Sequence, residues 1–196
     1  MKNICVFCGS SRGYRGVYAE AAAGFAEALA QEGLDLVYGG ANIGLMKVVA
    51  DKVLEMEGKV YGVMPRDLAG KEIAHEGITE MHIVETMSQR KERMAAMSDA
   101  FVVLPGGVGT LDELFEVLSW NQLGIMKKPV GILNVAGFYD HLVHFLEHAL
   151  EEKFLRQEHS RNLVVEVDPG LLIKKLRDFR FTEAEEWVER LKIKGY

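Results

Sequence analysis

Short apolar runs alternate with amphipathic segments along most of the chain. The runs predict strands over residues 4–7, 36–38, 60–64, 81–84, 101–104, 130–133 and 163–167. Between them, apolar residues that recur every three or four positions predict helices over residues 18–31, 45–56, 87–98, 110–123 and 139–151, and Pro169 favours the start of another.

Strands that alternate with helices indicate right-handed crossovers and a mostly parallel sheet with helices on both faces. The expected fold class is therefore α/β, with three layers in the order α/β/α. The run Phe-Val-Val-Leu at 101–104 is apolar at every position, which is typical of a strand buried on both faces. We expect a single catalytic domain over residues 1–181 and a charged, amphipathic helical tail over residues 182–196.

Composition and charge favour a soluble protein over a nucleic-acid-binding or membrane protein. The 196 residues are 48% hydrophobic and 27% charged, which suits one soluble domain, and a net charge of −6 argues against a nucleic-acid-binding surface. No apolar stretch approaches the roughly 18 residues of a membrane span, and the N-terminus makes a poor signal peptide, so a cytoplasmic protein is expected. Cys5 and Cys8 are interpreted as plain thiols, because no second pair of metal ligands accompanies them.

Glycines follow three of the predicted strands, at Gly9, at Gly39 and Gly40, and at Gly106 and Gly107. In open parallel sheets, ligands bind at the carboxyl ends of the strands, where these turns are expected to meet. Glycine lets the backbone come close to a ligand. The clustering therefore indicates a site of about the size of a nucleotide at that edge of the sheet.

The segment Pro-Gly-Gly-Val-Gly-Thr-Leu-Asp-Glu, residues 105–113, follows a buried strand and opens a helix. Its glycines and the free N–H groups of a helix start predict a cradle for phosphate. It matches neither a Walker loop nor a dinucleotide-binding fingerprint. Glu113 then has two interpretations: it completes a capping box with Thr110 at the N-cap, or it serves the sugar. In the second, the carboxylate stabilises the oxocarbenium-like state of N-glycosidic cleavage or activates the attacking water.

Arg90 interrupts an apolar helical stripe formed by Met87, Met94 and Met97, and Lys91 flanks that stripe. A cation in such a place requires a partner, because its desolvation is costly. The alternatives are a structural ion pair, a snorkelling side chain, or a cation that faces a ligand at a cleft or a subunit boundary.

These two segments together carry a family resemblance. Met-x-x-Arg-Lys at residues 87–91, followed by Pro-Gly-Gly-x-Gly-Thr-x-x-Glu at 105–113, resembles without mismatch the paired signature of the LOG family of cytokinin riboside 5′-monophosphate phosphoribohydrolases. Some members of that family were misnamed lysine decarboxylases. The similarity runs from about residue 4 to about residue 152 and includes motifs at residues 7–11, 38–40, 44–46, 98–101, 120–124 and 128–131.

The resemblance implies a Rossmann-like fold, no cofactor, and a homodimer with its sites near the subunit interface. It implies Arg90 and Glu113 as the catalytic pair. It also implies nucleotide contacts at the matching positions Lys91, Gly107, Gly109, Thr110 and Ser119. The remaining residues of the expected substrate-binding set are Gly9, Ser10, Gly40, Met87, Gly106 and Asp112, and no metal ligands are expected.

The expected reaction is hydrolysis of N6-modified AMP, of AMP, or of both, to free base and ribose 5-phosphate. Arg90 is expected to help hold Glu113 ionised, since a nearby cation lowers the pKa of a carboxylate. One alternative is a general purine 5′-monophosphate nucleosidase, and another is a non-catalytic nucleotide or cofactor carrier. Lysine decarboxylation is disfavoured, because no pattern suggests a pyridoxal phosphate site.

The chain departs from the family pattern in three places. Ala41 and Lys47 stand where many members carry glycine, which is expected to alter the floor of the pocket. The segment 66–77 is longer than usual, and Asp67 and Glu72 within it are candidates for contacting the base. The tail from about residue 182 lies outside the resemblance.

Overall fold

A seven-stranded parallel sheet forms the middle layer of the protein. The computed structural model describes residues 1–69, 73–160 and 162–181. Within them the sheet has the order β4-β3-β2-β1-β5-β6-β7, and each neighbouring pair is parallel. The strands are β1 Asn3–Phe7, β2 Asp35–Tyr38, β3 Val60–Pro65, β4 Glu80–Val84, β5 Ala100–Val103, β6 Val130–Leu133 and β7 Leu163–Glu166.

Helices cover both faces of the sheet, which confirms the predicted three-layer α/β/α arrangement. They are α1 Val17–Gln31, α2 Gly44–Glu55, α3 Arg66–Ala69, α4 Met87–Met97, α5 Val108–Gln122, α6 Asp140–Glu151, α7 Gln157–Ser160 and α8 Pro169–Asp178, with a 3-10 turn at Val135–Gly137. The sequence pattern did not predict α3, α7 or the 3-10 turn, because three or four residues are too few to show a helical period.

Two hydrophobic cores lie on opposite sides of the sheet. One core packs α1, α2 and α8 against it, and the other packs α4, α5 and the start of α6. Strand β5 contributes to both: Val102 is buried in the first core, and Phe101 and Val103 are buried in the second. The continuous apolar run at this strand therefore reflects burial on both faces, as predicted.

The order of the strands creates a crevice between β1 and β5. Strands β1 to β4 lie side by side in chain order on one half of the sheet. Strand β5 then pairs with the opposite side of β1. The loops that follow these two strands diverge from the same edge and touch, because the Gly9 N–H donates to the Pro105 carbonyl at 3.0 Å. Such a switch point is where open α/β sheets bind their ligands.

One pair of motifs that carries the resemblance stabilises the fold. The Asn121 amide donates to the Lys128 carbonyl at 2.7 Å and accepts from the Lys128 N–H at 3.1 Å. The Lys128 ammonium in turn donates to the carbonyls of Ala95 and Ser98, each at 2.7 Å. A cation at the end of a helix satisfies its last carbonyls, so this arrangement ties the carboxyl end of α4 to α5.

In residues 1–69, 73–160 and 162–181, no helix is long and apolar enough to cross a membrane. The predicted helical tail over residues 182–196 lies outside the described residues.

Candidate active site

The glycine loop enters α5 two residues earlier than predicted. Helix α5 begins at Val108, and its N-cap is Gly107, which has no side chain to cap with. Thr110 and Glu113 therefore lie inside the helix, and the capping-box interpretation is wrong. Thr110 is buried against Gly106 instead: a Cβ atom on Gly106 would lie 2.1 Å from the Thr110 Oγ1. The glycine at 106 is required for this close packing.

The start of α5 presents unsatisfied backbone N–H groups to an open space. Gly107, Val108 and Gly109 are exposed, and a Cβ atom at either glycine would meet no atom within 4 Å. The first N–H groups of a helix lack intrahelical acceptors and carry the positive end of its dipole. The geometry suits an anion such as phosphate.

The loop after β1 forms the opposite wall of this space. The Gly9 carbonyl accepts from the Leu45 N–H at 3.0 Å, and a Cβ atom on Gly44 would lie 2.2 Å from the Ser10 carbonyl carbon. These contacts fix the loop against α2. Between the two loops lies a cavity of about 210 Å³, lined by Gly9, Ser10, Ser11, Arg12, Gly13, Tyr18, Leu45, Pro105, Gly106, Gly107 and Phe138.

The cavity brings together some predicted residues and adds others. Predicted Gly9 and Ser10 meet predicted Gly106 and Gly107 there. Arg12, Tyr18 and Phe138 were missed. Arg12 follows the first glycine turn directly and was recognisable as a neighbouring cation, whereas the two aromatic residues belong to distant segments and had no local signal.

Arg90 is held by backbone carbonyls. Its Nη2 donates to the Gly39 carbonyl at 2.9 Å and its Nε donates to the Val63 carbonyl at 3.0 Å. A Cβ atom on Gly39 would lie 1.8 Å from the Nη2, so only glycine admits the guanidinium here. Among the described residues Arg90 has no ion-pair partner, which argues against the structural ion pair. The guanidinium keeps donors available for a ligand.

Glu113 is a half-buried carboxyl group with no hydrogen-bond or ion-pair partner in the part of the chain that the structure describes. Burial raises its pKa to about 7; Arg90 and Lys91 act against the rise, and Asp112 and Glu116 add to it. The expected influence of Arg90 has the right sign, but desolvation outweighs it. Arg90 thus helps to hold Glu113 ionised, as expected, but burial leaves the carboxyl in both forms near pH 7.

Lys91 and Asp112 are paired within the protein. The Lys91 ammonium contacts Asp112 Oδ2 and Glu116 Oε2, both at 3.1 Å, and thereby links α4 to α5. Met87 lies exposed at the start of α4, with its sulfur 3.5 Å from the Arg90 Nη1. Arg90 directly precedes Lys91, and Glu113 directly follows Asp112, so the link places Arg90 and Glu113 on facing helices.

The turn after β2 supports the Arg90 side of the site. Gly40 adopts a φ of 78°, and its carbonyl accepts from the His75 N–H at 2.9 Å. Ala41 is buried and forms an antiparallel bridge with Ala74, so residues 73–75 lie against the turn that follows β2. Lys47 contacts Asp51 at 3.0 Å on the surface of α2.

Two of the candidate residues, Asp67 and Ser119, do not line the cavity. Asp67 is exposed in α3, and Glu72 lies outside the described residues. The Ser119 hydroxyl donates to the Phe115 carbonyl at 2.7 Å. Ser119 lines a different cavity of about 390 Å³ between α5, α6, α7 and β7. Within one chain, the structure does not bring Ser119 to the glycine loop.

Comparison with known proteins identifies the family of the chain. A family model described as possible lysine decarboxylase matches residues 46–176. A cytokinin riboside 5′-monophosphate phosphoribohydrolase of Arabidopsis thaliana is 46% identical over 179 residues, which cover 91% of this chain and 84% of that protein. The chain belongs to the LOG family. A LOG protein of Oryza sativa subsp. japonica with the same activity in its name is 43% identical over 178 residues, covering 91% and 74%.

Solved structures share the fold. A molybdenum cofactor carrier protein from Chlamydomonas reinhardtii superposes with a TM-score of 0.68 at 21% identity, covering 91% of this LOG-family chain and 99% of the carrier. A molybdenum cofactor binding protein from Rippkaea orientalis gives the same TM-score at 20% identity, with coverage of 91% and 97%. At such identities the similarity shows the fold alone.

Proposed function

We propose that the protein hydrolyses the N-glycosidic bond of purine nucleoside 5′-monophosphates, with N6-modified AMP as the preferred substrate. The relatives described above are named for this reaction on cytokinin nucleotides. The observation that carries the proposal is Glu113, a half-buried carboxyl without a protein partner whose pKa burial raises to about 7. A group with such a pKa is suited to accept or donate a proton near neutral pH.

The phosphate is assigned to the glycine loop. The exposed N–H groups at residues 107–109 and the positive end of α5 favour an anion, and the loop after β1 closes the other side of the cavity. Substrates without the 5′-phosphate lose this binding energy. A preference for monophosphates over nucleosides follows.

Glu113 is assigned to the sugar. In hydrolysis the bond between C1′ and the base nitrogen breaks, its electron pair leaves with the base, and the base gains a proton. The oxygen of water bonds to C1′, and Glu113 in its ionised form takes the proton of that water or stabilises the cationic sugar. Arg90 binds the nucleotide through the guanidinium donors that the backbone carbonyls leave available.

The deciding experiment measures free base and ribose 5-phosphate released from AMP and from N6-isopentenyl-AMP, with the two nucleosides as controls. We expect release from the monophosphates and almost none from the nucleosides. A higher kcat/KM for the N6-modified substrate supports cytokinin activation, and equal values support a general nucleosidase. Folded protein that binds AMP without releasing base would overturn hydrolysis in favour of a carrier.

We also propose a homodimer that resides in the cytoplasm. Exposed apolar side chains on the side of α5 and α6 support the dimer, namely Phe115, Leu123, Ile125, Phe145 and Phe154. The free, buried thiols of Cys5 and Cys8 are compatible with a reducing compartment. A native mass close to 21.9 kDa would contradict the dimer, and cell fractionation tests the compartment.

A further inference from the structure

A buried tyrosine contacts the glycine loop from beneath. Tyr139 is 3% exposed, and its hydroxyl donates to the Leu104 carbonyl at 2.8 Å. The backbone of Gly106 lies close enough to the same phenol to act to lower its pKa. The hydroxyl thus holds the residue that precedes Pro105, whose own carbonyl accepts from the Gly9 N–H at 3.0 Å.

We propose that Tyr139 is a positioning residue for the 5′-phosphate site. By fixing Leu104 directly before Pro105, it sets the separation between the loop after β1 and the N-terminus of α5, the two walls of the cavity. The inference rests on the proposed function, because it takes the glycine loop as the place where phosphate binds.

Hydrogen bonds of the neighbouring residues fix the backbone at Tyr139 and thereby direct its side chain towards the glycine loop. The Asn134 Oδ1 accepts from the Tyr139 N–H at 2.8 Å, and the Asn134 amide donates to Asp140 Oδ1 at 2.6 Å. The intervening turn uses positive φ angles, 50° at Ala136 and 71° at Gly137. A non-glycine residue in this region is strained and persists only when its surroundings enforce it. The turn directs the chain from β6 back beneath β5.

The tyrosine hydroxyl is suited to this role at all physiological pH values. Burial raises its pKa, and the neighbouring Cys8 adds to the rise, so the phenol stays protonated and keeps its donor. The ring packs edge-on against Phe138 at 4.8 Å, and Phe138 lines the cavity. The substitution Tyr139→Phe would keep this packing and lose the hydrogen bond to the Leu104 carbonyl.

The test compares Tyr139→Phe with Tyr61→Phe. Tyr61 is a half-buried tyrosine in β3 at the edge of the same core, and no hydrogen bond of its hydroxyl is recorded among the described residues. We expect Tyr139→Phe to weaken ribose 5-phosphate binding by about tenfold, measured by calorimetry. The KM for AMP should rise by the same factor while kcat changes by less than threefold. Tyr61→Phe should leave all three values within twofold.

Other outcomes overturn the proposal. Unchanged ribose 5-phosphate affinity in folded Tyr139→Phe would mean that the hydroxyl has only a structural role, as would a fall in kcat with KM intact. Should Tyr139→Phe fail to fold, Asn134→Ala tests the same point, since it releases the Tyr139 backbone but keeps the hydroxyl. It should weaken ribose 5-phosphate binding several-fold, and unchanged affinity would reject the role. Because binding is measured without turnover, a failure of the hydrolase proposal remains distinguishable.

Discussion

Replacing Glu113 with glutamine should stabilise the protein at alkaline pH. Burial raises the pKa of this carboxyl in the folded state from its ordinary 4.5 to about 7. The folded state therefore favours the protonated form. The contribution of the group to stability is complete below pH 4.5 and is lost as the pH rises through 7. At about 1.4 kcal/mol per pH unit over this interval, the wild-type protein loses about 3 kcal/mol by pH 8.

Glutamine keeps the shape of the side chain and carries no charge. The free energy of unfolding of Glu113→Gln therefore does not fall as the pH rises through 7. For a chain of this size, about 1 kcal/mol corresponds to about 2–4 °C in Tm. We expect the variant to melt about 6–12 °C above the wild type at pH 8 and within about 2 °C of it at pH 4.5. Thermal unfolding followed by circular dichroism across this range measures the difference. Glu92→Gln, at an exposed position of α4, is the matched control and should show no such pH dependence.

The stabilisation should coincide with a loss of activity. Removing the ionisable group should lower kcat by about 100-fold or more, since general base catalysis contributes about that much. Stability gained at the expense of activity is typical of a charged group held in a desolvated site. A Tm difference that is the same at pH 4.5 and pH 8 would refute the desolvation argument, and near-normal turnover would refute the catalytic role.

Three further predictions follow from the same site. The kcat/KM of the wild type should rise with pH through about 7 as Glu113 ionises in the free enzyme, and a profile flat from about pH 5.5 to 8.5 would contradict this. Arg90→Ala should retain little activity with an intact fold by circular dichroism; unfolding would instead favour a structural role. Gly39→Ala should displace the flexible Arg90 guanidinium, since the new Cβ would lie 1.8 Å from Nη2, and lower kcat/KM by about 10²-fold with little change in Tm. Gly24→Ala, where nothing lies within 4 Å of the new Cβ, is its control and should keep full activity.

Local pattern was sufficient for the fold class and most elements. The apolar run at residues 130–133 gave the bounds of β6 without error, and the other predicted strands differ from the structure by a residue or two at their ends. Among the boundaries of the predicted helices, the largest error concerns α5: its start was predicted at Thr110 and lies at Val108. Glycines have low helix propensity and carry no apolar period, so pattern places the helix start too late where a loop of glycines leads into it.

The sequence by itself determined the parallel α/β architecture, the glycine turns at the carboxyl edge of the sheet and the paired motifs that hold Arg90 and Glu113. Period and residue type are local properties and can be read along the chain. Only the tertiary structure decided the partners of those residues. Arg90 reaches carbonyls 51 and 27 residues away, and Tyr139 reaches one 35 residues away. The pKa of Glu113 was also decided there, because desolvation depends on what surrounds a group in space and leaves no local signature in the chain.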